Sequence, residues 1–286
     1  MESINLPAGK YDAGSWQYTT VLPADIERCE LTLATFNIWF GDWFVQERYR
    51  AVLDLLEHYR PDVIALQEVT LSALPIFLEQ PWIRGAYYAS DINGSTLGDY
   101  GVLILSRLPP RTIKLVELPS FMGRHLLVWE TRVNGAPLHI ATVHLESQKS
   151  SVEIRGEQLG VIFDALHSVP NAVIMGDFNF CASWTEENDR LDPVYHDVWK
   201  VLRAGEPGYT EDAAINRMLY LSKGKHKQVR FDRVLLKSSL QDVPGSGWTE
   251  KSIDLLGTDP ISVDMPEVFP SDHFGLLCRI AAKGSP

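Results

Sequence analysis

Cysteine, positive charge and long apolar runs are all scarce in this chain, and each shortage excludes something. Only three cysteines occur in 286 residues: Cys29, Cys181 and Cys278. They are odd in number, widely spaced and without zinc-type pairs. Neither a disulfide framework nor a thiolate metal site is expected, and a reducing intracellular compartment, nucleus or cytoplasm, is. Lysine and arginine total 26 against 37 aspartates and glutamates, a formal net charge of −11. That balance argues against broad, nonspecific polyanion binding, but leaves room for a local basic patch or for carboxylates offset by a metal ion. No basic stretch followed by an apolar run opens the chain, and no segment is long enough to span a membrane, so no membrane partner is expected. A glycine-rich phosphate loop, a nucleophilic-serine elbow, internal repeats and low-complexity linkers are missing as well.

What is present describes a globular protein: 45% hydrophobic and 22% charged residues, enough to bury a sizeable core. Residues 1–30 carry no strong period and read as an N-terminal arm or a peripheral strand. Nothing marks a boundary in 31–286, which reads as one domain. Leu31–Ile38 reads as a strand ending at Asn37. Tyr49, Val52, Leu53 and Leu56 recur at helical spacing before Pro61, and Val63–Leu66 is a short apolar strand leading into Gln67 and Glu68. Gly101–Leu105 is a further strand. Leu126–Val133 and Pro137–Leu145 flank Asn134-Gly135, the pattern of a tight hairpin. Ser150 with Glu153 predicts a capping box before a helix carrying Ile154, Leu159, Ile162, Phe163 and Leu166. Ala172–Met175, Val229–Leu236 and Phe274–Ile280 complete the strands. Alternating strands and helices with at least one antiparallel pair predict an α/β protein of packed mixed sheets with helices outside.

Polar residues recur where these strands end. Glu68 is either a strand-end carboxylate facing water or a ligand for a hard divalent cation. Asn37 is either a turn residue or a group that orients that carboxylate. Asp177 and Asn179, two apart in Gly176-Asp177-Phe178-Asn179, point the same way on an extended strand end, and otherwise form a simple turn. His144 ends the second hairpin strand, where packing or solvation would also explain it. His273 is the stronger histidine, because Asp272 adjoins it and Asp232 lies in a separate strand. A carboxylate partner fixes the imidazole tautomer and favours the imidazolium, which stabilises negative charge on a phosphoryl group.

Asn37, Gln67-Glu68, His144, Gly176-Asp177-x-Asn179, Asp232 and Ser271-Asp272-His273 stand in the order of the endonuclease/exonuclease/phosphatase superfamily, which includes DNase I and the abasic-site endonucleases. The chain resembles that superfamily and, within it, the tyrosyl-DNA phosphodiesterase 2 type of enzyme. Met122-Gly123-Arg124, His144-Leu145-Glu146-Ser147, Arg230-Phe231-Asp232-Arg233, Ser252–Gly257 and Phe269–Cys278 carry the closer likeness, which runs from about Leu31 to Ile280. The resemblance implies a DNase I-like four-layered α/β sandwich with two packed mixed sheets flanked by helices, and makes 31–286 the catalytic domain. It implies a magnesium-dependent phosphodiesterase, manganese substituting, that attacks phosphorus with an activated water. The substrate implied is a 5′-tyrosyl adduct on a single-stranded DNA end, in DNA repair, with the enzyme a monomer.

Carried over residue by residue, the resemblance makes Glu68 the magnesium ligand, with Asn37 and Asp272 at the metal. Asp177 activates water, Asn37 and Asn179 position metal and phosphate, His144, Ser147 and His273 contact phosphate, Asp232 orients His273, and Arg124 contacts substrate. Cys181 and Tyr209 fall at substrate positions. The tyrosyl-DNA enzymes have arginine where Cys181 stands and tryptophan where Glu211 follows Tyr209-Thr210, so DNA-end binding is expected to differ here. No ubiquitin-binding segment is expected, because the chain starts almost at the catalytic core. Two rival readings stay open: an enzyme of the same fold acting on RNA, a nucleotide or a lipid head group, and a catalytically inactive binding module.

Overall fold

The computed structural model of the protein describes residues 2–21, 25–238 and 247–284. Among these, two eight-stranded mixed sheets pack face to face. The first sheet runs Trp248–Leu256, Gly275–Ala282, Glu30–Asn37, Val63–Val69, Gly101–Ser106, Tyr88–Ala89, Ala8–Asp12, Ser15–Thr19. The second runs Ser3–Leu6, Thr112–Glu117, His125–Val133, Ala136–His144, Ala172–Asp177, Asp232–Lys237, His196–Asp197, with Asp25–Ile26 beside His125–Val133. Their facing sides bury Leu33, Ala65, Ile104, Trp129, Val173 and Leu276. Helices Val45–Tyr59, Ala73–Leu78 and Pro81–Ala86 cover the outer face of the first sheet through Tyr49, Leu56 and Phe77. Helix Val152–Ala165 covers the second with Leu159, Ile162 and Phe163. The result is a four-layered α/β sandwich.

Where apolar periodicity is strong, sequence and structure agree. The turn Asn134-Gly135 has φ 54° and 77°, the double positive φ that a tight hairpin demands. The Asn134 amide also bonds both backbone groups of Arg28. The first 30 residues supply outer strands to both sheets, the peripheral-strand alternative. Two expectations differ. The helix after residue 150 starts from Ser151 with no side-chain cap, and Glu153 pairs with Arg190 instead of closing a capping box. The run Val229–Leu236 is broken. Gln228–Val229 pairs with Glu211–Asp212, and only Asp232–Lys237 joins the second sheet. At the break Arg230 turns into a buried ion pair with Asp197.

Strand register builds the site. His144 lies opposite Asp177, and Asp177 opposite Asp232, so three adjacent strands present these residues in one row. In the other sheet Asn37 lies opposite Gln67. A register shift between Gln67 and Val69 marks a bulge at Glu68, which takes φ 62°. Gln67 stays in the seam between the sheets, donating to Thr142 Oγ1 at 2.9 Å. The bulge re-aims Glu68 toward the same end of the sandwich.

Gly176 is the tightest point of this row. Its φ is 139°, and a Cβ there would sit 2.1 Å from the Val143 carbonyl oxygen. Gly176→Ala should therefore lower stability by at least about 1–3 kcal/mol from backbone strain alone, read as a drop in the urea midpoint without change in slope. A substitution without cost would mean the strand pairing beside Asp177 is looser than described.

Candidate active site

One amide joins the two sheets at their shared end. Asn37 Nδ2 donates to Glu68 Oε1 at 3.2 Å and to Asp177 Oδ2 at 3.0 Å. Its carbonyl oxygen accepts from the Trp39 backbone at 3.1 Å. Glu68 Oε2 accepts from the Phe40 backbone at 3.0 Å. Arg48, fully buried at the start of helix Val45–Tyr59, donates to the carbonyls of Ile38, Trp39, Gly41 and Trp43. It fixes the loop that offers Phe40 N–H to Glu68.

The two histidines flank Asp177 in different protonation states. His144 Nε2 lies 3.4 Å from Asp177 Oδ2, and His273 Nε2 lies 4.0 Å from the same oxygen. Arg124 Nη1 donates to His144 Nδ1 at 3.0 Å, which leaves the proton on Nε2, facing Asp177. Burial, with the Arg124 charge adding to it, pulls His144 down to about 3, so it is neutral. His273 is the opposite case. Burial pulls it down, but the hydrogen bond from Nδ1 to Asp232 Oδ2 at 2.8 Å, helped by Glu211 and Asp272, holds it well above its ordinary value. It is an imidazolium. Asp177 is itself held low: burial raises it, and the facing Nε2–H of His144, the His273 charge, the Asn179 backbone N–H and the Asn37 amide together outweigh burial.

Asn179 takes φ 53°, bonds Asp177 Oδ1 through its backbone at 2.8 Å, and donates its amide to the Leu145 carbonyl at 3.0 Å. Ser271 Oγ donates to the Asn37 carbonyl at 2.6 Å and accepts from His273 N at 3.2 Å, tying that loop to the first sheet. Thr210 Oγ1 accepts from the backbones of Phe231 and Asp232.

Arg124 is buried and its fork holds His144 and, at 3.2 Å, Ser147 Oγ, so it braces a histidine instead of reaching into solvent. Ser147 is half-buried beneath that fork. Cys181 is buried, with Ser183 Oγ at 3.3 Å, and lines with Tyr209 and Arg230 a cavity of about 410 Å³ beside the site. Glu211 is not on an open surface. It is buried, with Oε1 3.5 Å from His273 Nε2 and 3.1 Å from Lys227 Nζ. Sequence reasoning did not find Arg48, Thr210 or the Phe40 N–H. It also missed Tyr100, whose ring lies 6.0 Å from His144 and stacks on Phe40 at 4.6 Å. A buried-looking arginine in the first helical turn and the aromatic opening the Gly101 strand were the available signals.

The donor set suits a hard divalent cation: two carboxylates, Glu68 and Asp272, and no thiolate, while the Asn37 amide turns its Nδ2 toward Glu68 and its oxygen to the Trp39 N–H. Burial is the main cause that lifts Asp272, and Glu68 and Glu211 add to it against the pull of His273, to about 7. Burial likewise raises Glu68. Such uncompensated buried acids are what a cation would relieve. Ligand-capable atoms of Asp177, Asp232 and His273 also lie within 4.8 Å of one another. An imidazolium bonded to Asp232 has no lone pair to give, so the Glu68–Asp272 side is the better seat.

Comparison with known proteins agrees with this geometry. Residues 34–273 match the Endonuclease/Exonuclease/phosphatase family. The chain belongs to that family. Within it the chain is of the tyrosyl-DNA phosphodiesterase 2 type, and it is a phosphodiesterase-class hydrolase. Tyrosyl-DNA phosphodiesterase 2 of Xenopus laevis is 31% identical over 97% of this chain and 73% of that protein. The Homo sapiens protein is 30% identical over 82% of this chain and 64% of that one. The chain thus spans only part of these relatives. The crystal structure of D. rerio TDP2 complexed with single strand DNA product shares the fold, with TM-score 0.75 and 24% identity over 88% of this chain and 99% of that chain.

Two outcomes follow from the protonation pattern. In metal-free protein the folded state keeps the Asp272 proton after the unfolded chain has lost it. Its contribution to stability is present in full below pH 3.8 and is lost as pH rises through about 7. Asp272→Asn should therefore gain on the parent progressively across that window in urea unfolding, and should lose most of the stabilisation that magnesium confers. An advantage independent of pH would show that Asp272 is not an uncompensated acid. Arg124→Gln should free His144 Nδ1 to take a proton, so activity should fall on the acid side of the pH profile at a higher pH than in the parent. An unmoved acid limb would remove the bracing role.

Proposed function

We propose that this chain is a magnesium-dependent phosphodiesterase that hydrolyses the 5′-phosphotyrosyl bond at a single-stranded DNA end, in DNA repair. The observation that carries the reading is the pair of histidines on either side of Asp177, one under the Arg124 guanidinium and one bonded to Asp232, set against an oxygen-only Glu68–Asp272 seat. The relatives' names supply the substrate. The same reading carries a monomer working in the nucleus or cytoplasm.

Glu68 and Asp272 would hold the ion, with Asn37 fixing Glu68. When bound, the ion supplies Lewis-acid stabilisation of charge on phosphorus-bound oxygen. Asp177, held ionised, accepts the proton of the attacking water, and Asn179 keeps that carboxylate in place through its N–H. His144 Nε2–H and the His273 imidazolium donate to the non-bridging oxygens as charge grows on them. Asp232 holds the His273 ring and its charge, and Arg124 holds the His144 tautomer. The leaving group is a phenolate, whose conjugate acid has a pKa of about 10, so it departs with less protonation than a sugar alkoxide needs.

A smaller phosphodiester is the second reading, favoured by one observation: Glu211, at the site wall, places a carboxylate where a nucleic-acid backbone would bring more negative charge. Turnover of a 5′-tyrosyl oligonucleotide against a small aryl phosphodiester, with and without magnesium, separates the two. Asp177→Asn should lower kcat by roughly 10²–10⁴-fold on either substrate, with KM little changed. Full turnover after exhaustive chelation would remove the metal from the account, and near-parental kcat in the variant would return Asp177 to a structural role.

A further inference from the structure

His273 is held by carboxylates at both ring nitrogens. Asp232 takes Nδ1 at 2.8 Å, deep in the second sheet. Glu211 faces Nε2 at 3.5 Å, from the short strand Glu211–Asp212. The second contact is unlike the first, because Nε2 is the nitrogen that also faces Asp177 and, under the phosphodiesterase reading, the substrate phosphate. Glu211 is 4% exposed, and Lys227, reaching across from the chain just before the paired strand Gln228–Val229, is its only cation besides His273 among the described contacts. Lys227 itself is about a third exposed, so solvent weakens its compensation. A carboxylate therefore stands beside the phosphate seat, shared between His273 and a partly exposed lysine.

We propose that Glu211 is a charge filter, which sets this site to accept singly charged phosphodiesters and to reject doubly charged phosphomonoesters. Its repulsion acts on the charge of the bound phosphate group. Above the second phosphate pKa, about 6, a monoester carries one negative charge more than a diester with the same leaving group. In a water-poor site that extra charge meets Glu211 at short range, where Coulomb energies are large. Both substrates use the same histidines and the same Asp177, so only the difference between them reports Glu211. The inference rests on the phosphodiesterase reading, and not on tyrosine or DNA as its substrate.

The test compares 4-nitrophenyl phosphate with methyl 4-nitrophenyl phosphate, two esters with one leaving group, in the magnesium-loaded full chain at mildly alkaline pH. The ratio of kcat/KM, monoester over diester, should rise roughly tenfold in Glu211→Gln. Lys227→Met, which uncovers the charge without touching the carboxylate, should lower the same ratio and raise KM for the monoester. General damage to the fold lowers both substrates together and leaves the ratio where it was. If Glu211→Gln does not fold, the direction of change in Lys227→Met decides. A ratio unmoved in the variants that fold, or moved by Lys227→Met in the opposite sense, overturns the filter. Absence of hydrolysis of every phosphoester by the parent enzyme would instead overturn the phosphodiesterase reading on which it rests.

Discussion

Everything at this site depends on one primary amide. The two N–H bonds of Asn37 reach carboxylates that belong to different sheets, Glu68 in its own and Asp177 in the other. Two like charges gathered this closely repel, and a neutral double donor binds both without adding charge. Its backbone carbonyl in turn accepts from Ser271, which brings the loop of Asp272 and His273 to the same point. A substitution by aspartate would place a third acid between two others. Glutamine would push the amide past both partners by one methylene.

Around that amide the fold works as an alignment device. Parallel and antiparallel register puts His144, Asp177 and Asp232 side by side with no loop between them. The bulge at Glu68 and the tight approach at Gly176 are local departures from regular strand geometry, and both occur beside site carboxylates. Irregular backbone of this kind is kept where surrounding structure over-determines it.

Much of this was legible in the sequence, for a physical reason. Asn37, Glu68, His144 and Asp177 each close an apolar run of strand length, so their place at strand ends needed no tertiary information. Glu211, Thr210 and Lys227 were not legible in the same way. Glu211 reaches His273, Thr210 reaches Asp232 and Lys227 reaches Glu211 around a two-stranded ribbon whose pairing spans residues 211 to 229, and no local period announces it. Arg124 is a substrate contact only through the resemblance, and the place of its fork on His144 and Ser147 rests on tertiary packing that no local pattern shows. The strand Trp248–Leu256 escaped notice because a register shift between Glu250 and Ser252 breaks the alternation a strand is read from.

The central claim is that two histidines at one carboxylate carry different charges, one kept neutral by burial and a neighbouring guanidinium and one kept positive by an aspartate. Nitrogen-15 NMR of the imidazole rings in the intact protein tests it without any assay of activity. The account predicts that at about pH 7 His144 is neutral, protonated on Nε2 alone, while His273 carries protons on both nitrogens. If both rings titrate together near their ordinary value of 6.5, the account is contradicted.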